Sequence, residues 1–482
     1  MNEPALASLV GGRRREGDEV VADINPAAPD ERVATVSLAT PELAAEAIEA
    51  AAAAFAPWRD TPPPARGDVL RRAADLVDER ADAIGRDLTR EEGKTLVEAV
   101  GETRRAAAIL RYYAGQTLEP DGETYPSHSP LTFLYARREP LGVVAAITPW
   151  NFPIAIPAWK IAPAIAFGNT VVWKPAEIVP LTSTHFATAL SDAGLPDGVL
   201  NLVLGRGSVV GDTIVAHDRV DAVTFTGSNP VGRALQLKAT EAGKKVQLEL
   251  GGKNPAVVLA DADLQLAAEQ VARGAFLSAG QKCTATSRVI VEQPVLEELG
   301  ERVAALARSW RVGDPLDEET KVGPLSSQSQ LDTVSGYLEL ADREAARVLA
   351  GGGHPDTGGY FVEPTVLADL PANSRVVREE IFGPVAALLP ASSYEEAVAL
   401  ANDTPFGLTA ALFTRDLGKT LRFARDIRAG VVKVNQESAG LEFQAPFGGM
   451  RGSSSGSREQ GKVARDFFTH WKTVYLDAPV AE

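Results

Sequence analysis

The chain is 482 residues long, more than one hydrophobic core ordinarily fills, so two large domains with a deep site between them are expected. Hydrophobic residues make up 45% and charged residues 23%, a globular balance that excludes a disordered or fibrous chain. The 48 basic and 64 acidic side chains leave a net charge of −16, which disfavours nucleic acid and anionic membrane as partners, and the single cysteine excludes an internal disulfide or a cysteine-rich zinc site.

The first 18 residues hold Arg13, Arg14 and Arg15 and no apolar core, unlike a secretory signal, so a cytoplasmic protein is expected. Residues 41–58 and 66–100 are Ala-rich with charges recurring on one face, as in amphipathic helices packed on a sheet. Residues 122–138, rich in Ser, Pro, Thr and aromatics, read as an arm, and 140–148 as a buried strand. The apolar stretch 154–167 is too short, and too interrupted by Pro and Lys, to span a bilayer. Strand-like runs at 170–173, 199–204 and 222–225 then alternate with helical runs at 181–193 and 208–217, the pattern of βαβ units around a parallel sheet. After Gly251 the rhythm restarts with 256–259, a helix over 264–278 and a strand over 287–291, which predicts a second α/β domain. No repeat or long linker separates the two, so they should share a large interface with a cleft.

Cys283 lies in SAGQKCTATSR, after a glycine-containing turn that would expose a side chain; alone, such a cysteine reads first as a small buried hydrophobe. Glu249 opens ELGG at the end of the alternation Val246, Leu248, Leu250. A carboxylate there, beside two glycines, can enter a cleft as a general base or be a solvated turn residue. In TPWNFP, residues 148–153, prolines and aromatics would fix the direction of the Asn151 amide, which suits an oxyanion donor as well as a plain turn. Lys174 and Glu177 follow the strand over 170–173 where α/β sheets bind nucleotides, and could equally form a surface ion pair. GRGSVVG, residues 205–211, is a loose glycine pattern near a phosphate position. No histidine joins these motifs, and no metal is assigned.

Together TPWNFP, KPAE (174–177), FTGS (225–228), ELGG, GQKC (280–283) and EEIFGPV (379–385) resemble, in order and over most of the chain, the aldehyde dehydrogenase superfamily. The resemblance implies an α/β aldehyde dehydrogenase fold. Residues 1–116 and 139–249 would form a Rossmann-like cofactor domain, 250–462 an α/β catalytic domain, and 117–138 with 463–482 a small β oligomerisation extension joining a homodimer or homotetramer. Within the extension, the segment near residues 117–138 would pair with the tail near 472–476. The resemblance also implies Cys283 as nucleophile, Glu249 as general base, and Asn151 with the Cys283 amide as oxyanion donors. Thr148, Trp150, Lys174, Glu177, Gly207, Gly211, Phe225, Gly227, Ser228, Glu380 and Phe382 would surround NAD or NADP.

GQKCTATSRVIV and PFGGMRGSSSGSREQGK look most like the branch of that family acting on 2-oxoglutarate semialdehyde (2,5-dioxopentanoate) in pentose and sugar-acid degradation. A small aldehyde with a distal carboxylate needs a cation, and Arg105 corresponds to a position lining the family's aldehyde tunnel, with Phe152, Trp159 and Phe447 as an apolar wall. Trp159 and Leu277 stand where succinate semialdehyde enzymes carry Arg; that substrate, or a broad range of aldehydes, is the alternative. Glu177 favours NAD by repelling a 2′-phosphate, an effect Arg206 could offset. A non-redox cysteine hydrolase and a catalytically silent dinucleotide-binding protein are the readings from other classes.

Overall fold

The computed structural model describes residues 3–355 and 357–477, so the last five residues of the expected oligomerisation extension, the first two of the expected cofactor domain and one of the expected catalytic domain lie outside it. The apolar runs become two large sheets. The first has eight strands, in the order Ser454–Ser455, Lys245–Glu249, Val220–Thr226, Val143–Ile147, Thr170–Lys174, Leu200–Leu202, Ser8–Val10 and Arg13–Arg15. Five neighbouring strands, from Lys245–Glu249 across to Leu200–Leu202, are parallel, and those at Val143–Ile147 and Thr170–Lys174 are buried at every residue, as expected of strands covered on both faces.

From Val143–Ile147 the chain winds outward through Thr170–Lys174 and Leu200–Leu202, then returns to build Val220–Thr226 and Lys245–Glu249 on the opposite side. The winding therefore reverses between Val143–Ile147 and Val220–Thr226. At such a reversal the two following loops diverge and leave a crevice at the carboxyl ends of the strands. TPWNFP leaves one of these strands and Gly227–Ser228 the other.

The second sheet has seven strands, ordered Arg347–Ala350, Thr365–Ala368, Val385–Ala391, Thr286–Glu292, Asn254–Val258, Thr409–Phe413 and Val431–Val434, and all but the first run parallel. Glu249 ends a strand of the first sheet and Asn254 begins one of the second, with Gly251 and Gly252 in the short connection. Cys283 lies just before Thr286–Glu292. The carboxyl edge of one sheet thus faces the amino edge of the other across the ELGG segment.

The helical stretch at 66–100 breaks into Pro63–Glu79, Ala81–Glu92 and Leu96–Gln116. Gly93 makes the break in a left-handed conformation (φ 98°), and Thr95 with Glu98 forms a capping box that starts the next helix. The apolar segment after TPWNFP is the helix Ala155–Ala166, buried at every residue, with Lys160 its one charge. Arm and tail form an antiparallel sheet in which Thr132–Pro140 pairs with Thr469–Asp477 over nine residues, Lys472 opposite Arg137 and Leu476 opposite Phe133. A further three-stranded sheet, Ala5–Leu6, Ala28–Leu38 and Glu19–Asn25, was not foreseen, and the strand Ser454–Ser455 from the expected catalytic segment pairs onto the first sheet. Among the described residues no helix is long and apolar enough to cross a membrane.

Candidate active site

A cavity of about 260 Å³ opens where the two sheets face each other, lined by Trp150, Asn151, Gly227, Ser228, Gly251, Cys283, Glu380 and Phe382 among others. Segments more than 200 residues apart in the chain, TPWNFP and EEIFGPV, meet there.

The turn Leu277–Gly280 presents Cys283. Ser278, Ala279 and Gly280 all adopt left-handed backbone (φ 56°, 49° and 67°), costing about 1–3 kcal/mol for each of the two non-glycine residues. Gly280 must lack a side chain because a Cβ would stand 2.2 Å from the Gly383 carbonyl oxygen. Behind the Cys283 side chain, the Asn254 amide donates to the carbonyls of Cys283 (2.8 Å) and Ala285 (2.9 Å). Burial pushes the Cys283 thiol up, and the negative charges of Glu380, Glu249 and Glu459 push it further. The thiolate therefore needs a proton acceptor and a positive or dipolar partner to form.

Asn151 is 3% exposed, and its amide donates to the Gln281 carbonyl at 3.1 Å. One N–H is thereby used to fix the amide beside the Cys283 turn, and the amide also lines the cavity. Trp150 stands edge-on to Phe382, ring centroids 5.4 Å apart. Phe382 is itself left-handed (φ 59°), and Gln330 holds its loop by donating to the Phe382 carbonyl at 2.9 Å.

Glu249 is 2% exposed. Its carboxyl is held well above the usual carboxylate range by burial and then by Glu459, with opposing pulls from the Ser454 hydroxyl, Lys160 and Arg458. Behind it lies a polar group no motif announced. Lys160 pairs with Glu459, both side chains at most 2% exposed, and donates to Thr224 at 2.9 Å, while the Trp159 indole donates to Glu459 at 2.9 Å. Removing one member of a pair so buried costs about 3–5 kcal/mol.

Glu380 reaches the cavity from the EEIFGPV loop, accepts from the Gly252 N–H at 2.9 Å, and is pushed up to about 7 by burial. A Cβ on Gly251 would lie 2.0 Å from this carboxylate, so that glycine is required by close approach. Further along the first sheet, Lys174 is buried and pushed down to about 8 by that burial, against the pull of Glu177. Glu177, exposed, accepts the Gly207 N–H at 2.8 Å at the start of the helix Gly207–Ala216, and Gly211 lies one turn further along it. Arg206 does not stand free beside Glu177: both its terminal nitrogens engage Glu19, from the unforeseen N-terminal sheet.

Two residues expected at the cofactor lie beneath the cavity wall. The Thr148 hydroxyl accepts from the Trp173 indole at 2.9 Å, and the Phe225 ring packs under Gly227, where a Cβ would come within 2.5 Å of it. Of the expected substrate residues, Trp159 and Phe447 stack at 6.3 Å and Phe152 is half-buried beneath Lys94 at 4.4 Å. Arg105 is half-buried, donates to the Leu441 carbonyl and lies 5.9 Å from the Phe443 ring. Among the described residues no cluster of His, Cys, Asp and Glu could hold a metal.

A model of the aldehyde dehydrogenase family matches residues 13–474. The chain is 47% identical over 468 residues to the alpha-ketoglutaric semialdehyde dehydrogenase of Bacillus subtilis strain 168, covering 96% of each chain. It is 46% identical over 465 residues to the alpha-ketoglutarate semialdehyde dehydrogenase of Haloferax volcanii, covering 95% of this chain and 96% of that one. The crystal structure of betaine aldehyde dehydrogenase from Staphylococcus aureus in complex with NAD+ superposes with a TM-score of 0.95 at 35% identity, covering 98% of this chain and 94% of that one.

Proposed function

The chain belongs to the aldehyde dehydrogenase family, and from that premise we propose that it oxidises 2-oxoglutarate semialdehyde (2,5-dioxopentanoate) to 2-oxoglutarate through a thioester on Cys283, with NAD preferred over NADP. The observation that carries the chemistry is the shared cavity of Cys283, Asn151, Gly227, Glu380 and Phe382 at the winding reversal of the first sheet.

The Cys283 thiolate adds to the aldehyde carbon, forming a C–S bond and moving a full charge to the carbonyl oxygen. The second Asn151 N–H and the Cys283 N–H donate to that oxygen, an interaction worth about 2.7–4 kcal/mol per donor. A nicotinamide dinucleotide held there would supply the acceptor for the hydride that leaves the same carbon. Glu249 then takes a proton from water; the resulting hydroxide adds to the thioester carbonyl, the C–S bond breaks, and the acid departs as the Cys283 thiolate returns. A buried carboxyl with a raised pKa suits this relay, since a base works best when its pKa approaches the working pH. Lys174 and Glu177 would take the adenosine ribose hydroxyls, Gly207 and Gly211 would lie by the phosphates, and Glu380 would take the nicotinamide ribose.

For the substrate, the names of the two semialdehyde relatives and the half-buried Arg105 support a distal carboxylate, which a guanidinium grips in bidentate fashion. NAD is favoured because Glu177 repels a 2′-phosphate and Arg206, tied to Glu19, does not neutralise it. We assign residues 1–116 and 139–249 to cofactor binding, 250–462 to catalysis, and 117–138 with 463–482 to oligomerisation. Phe133 (56% exposed) and Tyr475 (68%) on the extension sheet support burial against another copy.

Absorbance at 340 nm with 2,5-dioxopentanoate, succinate semialdehyde and propanal, each with NAD and NADP, tests the proposal. Preference for 2,5-dioxopentanoate, lost in Cys283→Ala, supports it. An even response to all three aldehydes removes the substrate assignment, and reduction that persists in Cys283→Ala removes the thioester.

A further inference from the structure

The helix Leu96–Gln116 carries Glu98 and Glu102 four residues apart, on one face, and each grips a different half of the active site. One oxygen of Glu98 accepts both the N–H (2.8 Å) and the hydroxyl (3.0 Å) of Ser278, the first left-handed residue of the turn that presents Cys283. Its other oxygen is anchored by the N–H (3.1 Å) and hydroxyl (2.9 Å) of Thr95. One oxygen of Glu102 accepts the N–H groups of Ile154 and Ala155, both at 3.0 Å, and the other accepts from Lys94 at 2.5 Å. Lys94 also donates to the Asn151 carbonyl at 2.7 Å and lies 4.4 Å from the centre of the Phe152 ring. The two gripped segments touch each other through the Asn151 amide and the Gln281 carbonyl.

These groups sit where ionic contacts are expensive: the side chains of Lys94 and Glu102 are 1% and 2% exposed. Apolar residues of similar volume would hold a helix against this wall without stripping water from charges. What apolar packing lacks is direction. Backbone N–H groups aimed at fixed carboxylate oxygens set the position of a loop to a few tenths of an ångström, and a left-handed turn persists only when its neighbours over-determine it.

We propose that the first turns of this helix register the oxyanion donor against the nucleophile, Glu98 positioning the Cys283 turn and Glu102 with Lys94 positioning Asn151. All three are positioning residues, which act through Asn151 and Cys283 and touch no reacting atom. The inference rests on the thioester reading above.

A double-mutant cycle tests it. Lys94→Met keeps a side chain of similar length over the Phe152 ring and removes the grip on Asn151. It should lower kcat for aldehyde oxidation about 10–100-fold, change aldehyde KM less than about threefold, and leave dinucleotide affinity unchanged. In an Asn151→Ala background the same substitution should cost less than about twofold, because the group it positions is gone. An undiminished loss in that background would overturn the proposal, since the effect would then be general damage to the fold. Where Lys94→Met does not fold, Lys94→Gln in the same cycle is read by the same criteria. Glu98→Gln keeps the acceptor and should retain most of kcat, whereas Glu98→Ala should not. Alkylation of Cys283 by iodoacetamide, which needs no turnover, should quicken severalfold in Glu98→Ala; an unchanged rate overturns the Glu98 half. Wild-type enzyme that reduces no dinucleotide with any aldehyde would instead defeat the functional reading, leaving the alkylation test standing.

Discussion

The Ser454 hydroxyl donates to Glu249 at 2.6 Å, while the other oxygen of that carboxylate is buried with no hydrogen-bond partner. In the relay proposed above, the unpartnered oxygen is the one that would accept a proton from water. Its ionised form gains from Ser454 and loses from Glu459. Activity should therefore rise towards alkaline pH in the wild type, as both Glu249 and Cys283 are held above their ordinary values. Ser454→Ala removes a contact that lowers the Glu249 pKa and should move the kcat/KM profile to higher pH; Glu459→Gln removes a repelling charge and should move it to lower pH. Profiles that fail to move in opposite directions would exclude Glu249 as the titrating base.

Asn151→Ala should lower kcat by about 10²–10³-fold, the usual loss for one oxyanion donor, with little change in aldehyde KM. Steady-state kinetics at saturating dinucleotide measure both. A loss confined to KM would make Asn151 a binding group only.

Glu177→Gln should raise the NADP-to-NAD ratio of kcat/KM by about fivefold, because one negative charge near the 2′ position is worth roughly 1 kcal/mol in water. Arg206→Ala should change that ratio less than about twofold, its guanidinium being engaged by Glu19. A large effect of Arg206→Ala would place that arginine on the cofactor instead.

Arg105→Ala should raise KM for 2,5-dioxopentanoate about 10–100-fold, the worth of a charge-assisted contact, and leave KM for propanal unchanged. Equal effects on the two aldehydes would reduce Arg105 to packing against Phe443.

Glu92, buried beside Lys94, is pushed up to about 8 by burial and by the charges of Glu102 and Glu98, against the pull of Lys94. The folded protein binds this proton more tightly than the unfolded chain, so the contribution is fully present below the ordinary carboxylate value of 4.5 and is lost as pH rises through about 8. Glu92→Gln should leave Tm unchanged near pH 5, relative to a wild type with protonated Glu92, and raise it by about 3 °C at pH 8.5. Thermal melts at the two pH values read this; a uniform shift at both would exclude titration of Glu92 as the cause.

The parts of this molecule legible in the sequence are those written in short, local signals. Apolar runs place the parallel strands of the first sheet and two strands of the second, Asn254–Val258 and Thr286–Glu292, because strands buried on two faces leave no room for polar residues. TPWNFP, ELGG and GQKC mark loops whose shape is set by proline and glycine, so their residues stand out where they occur. What escaped reading is held by distance. Glu98 and Glu102 look like ordinary charges on an Ala-rich helix, and only their four-residue spacing beside Ala99 and Thr103, both buried, hints that they face inward. Lys160 sits in an apolar segment and Glu459 near the end of the chain; nothing local says that they pair 299 residues apart. Phe225 and Thr148 show the converse, since their motif neighbours face the cavity while they pack behind it.

The strand Thr469–Asp477 closes the arm sheet, Ser454–Ser455 closes an edge of the first large sheet, and Glu459 completes the buried pair with Lys160. All three follow Cys283, Asn151 and every strand of the second large sheet along the chain. During synthesis Cys283 and Asn151 emerge long before the hydroxyl that holds Glu249 or the carboxylate behind it. A chain broken off before Ser454 would therefore hold Cys283 with Glu249 unanchored and the arm strand Thr132–Pro140 without its partner Thr469–Asp477. Order of synthesis in this sense leaves the surroundings of Glu249 to be finished after those of Cys283.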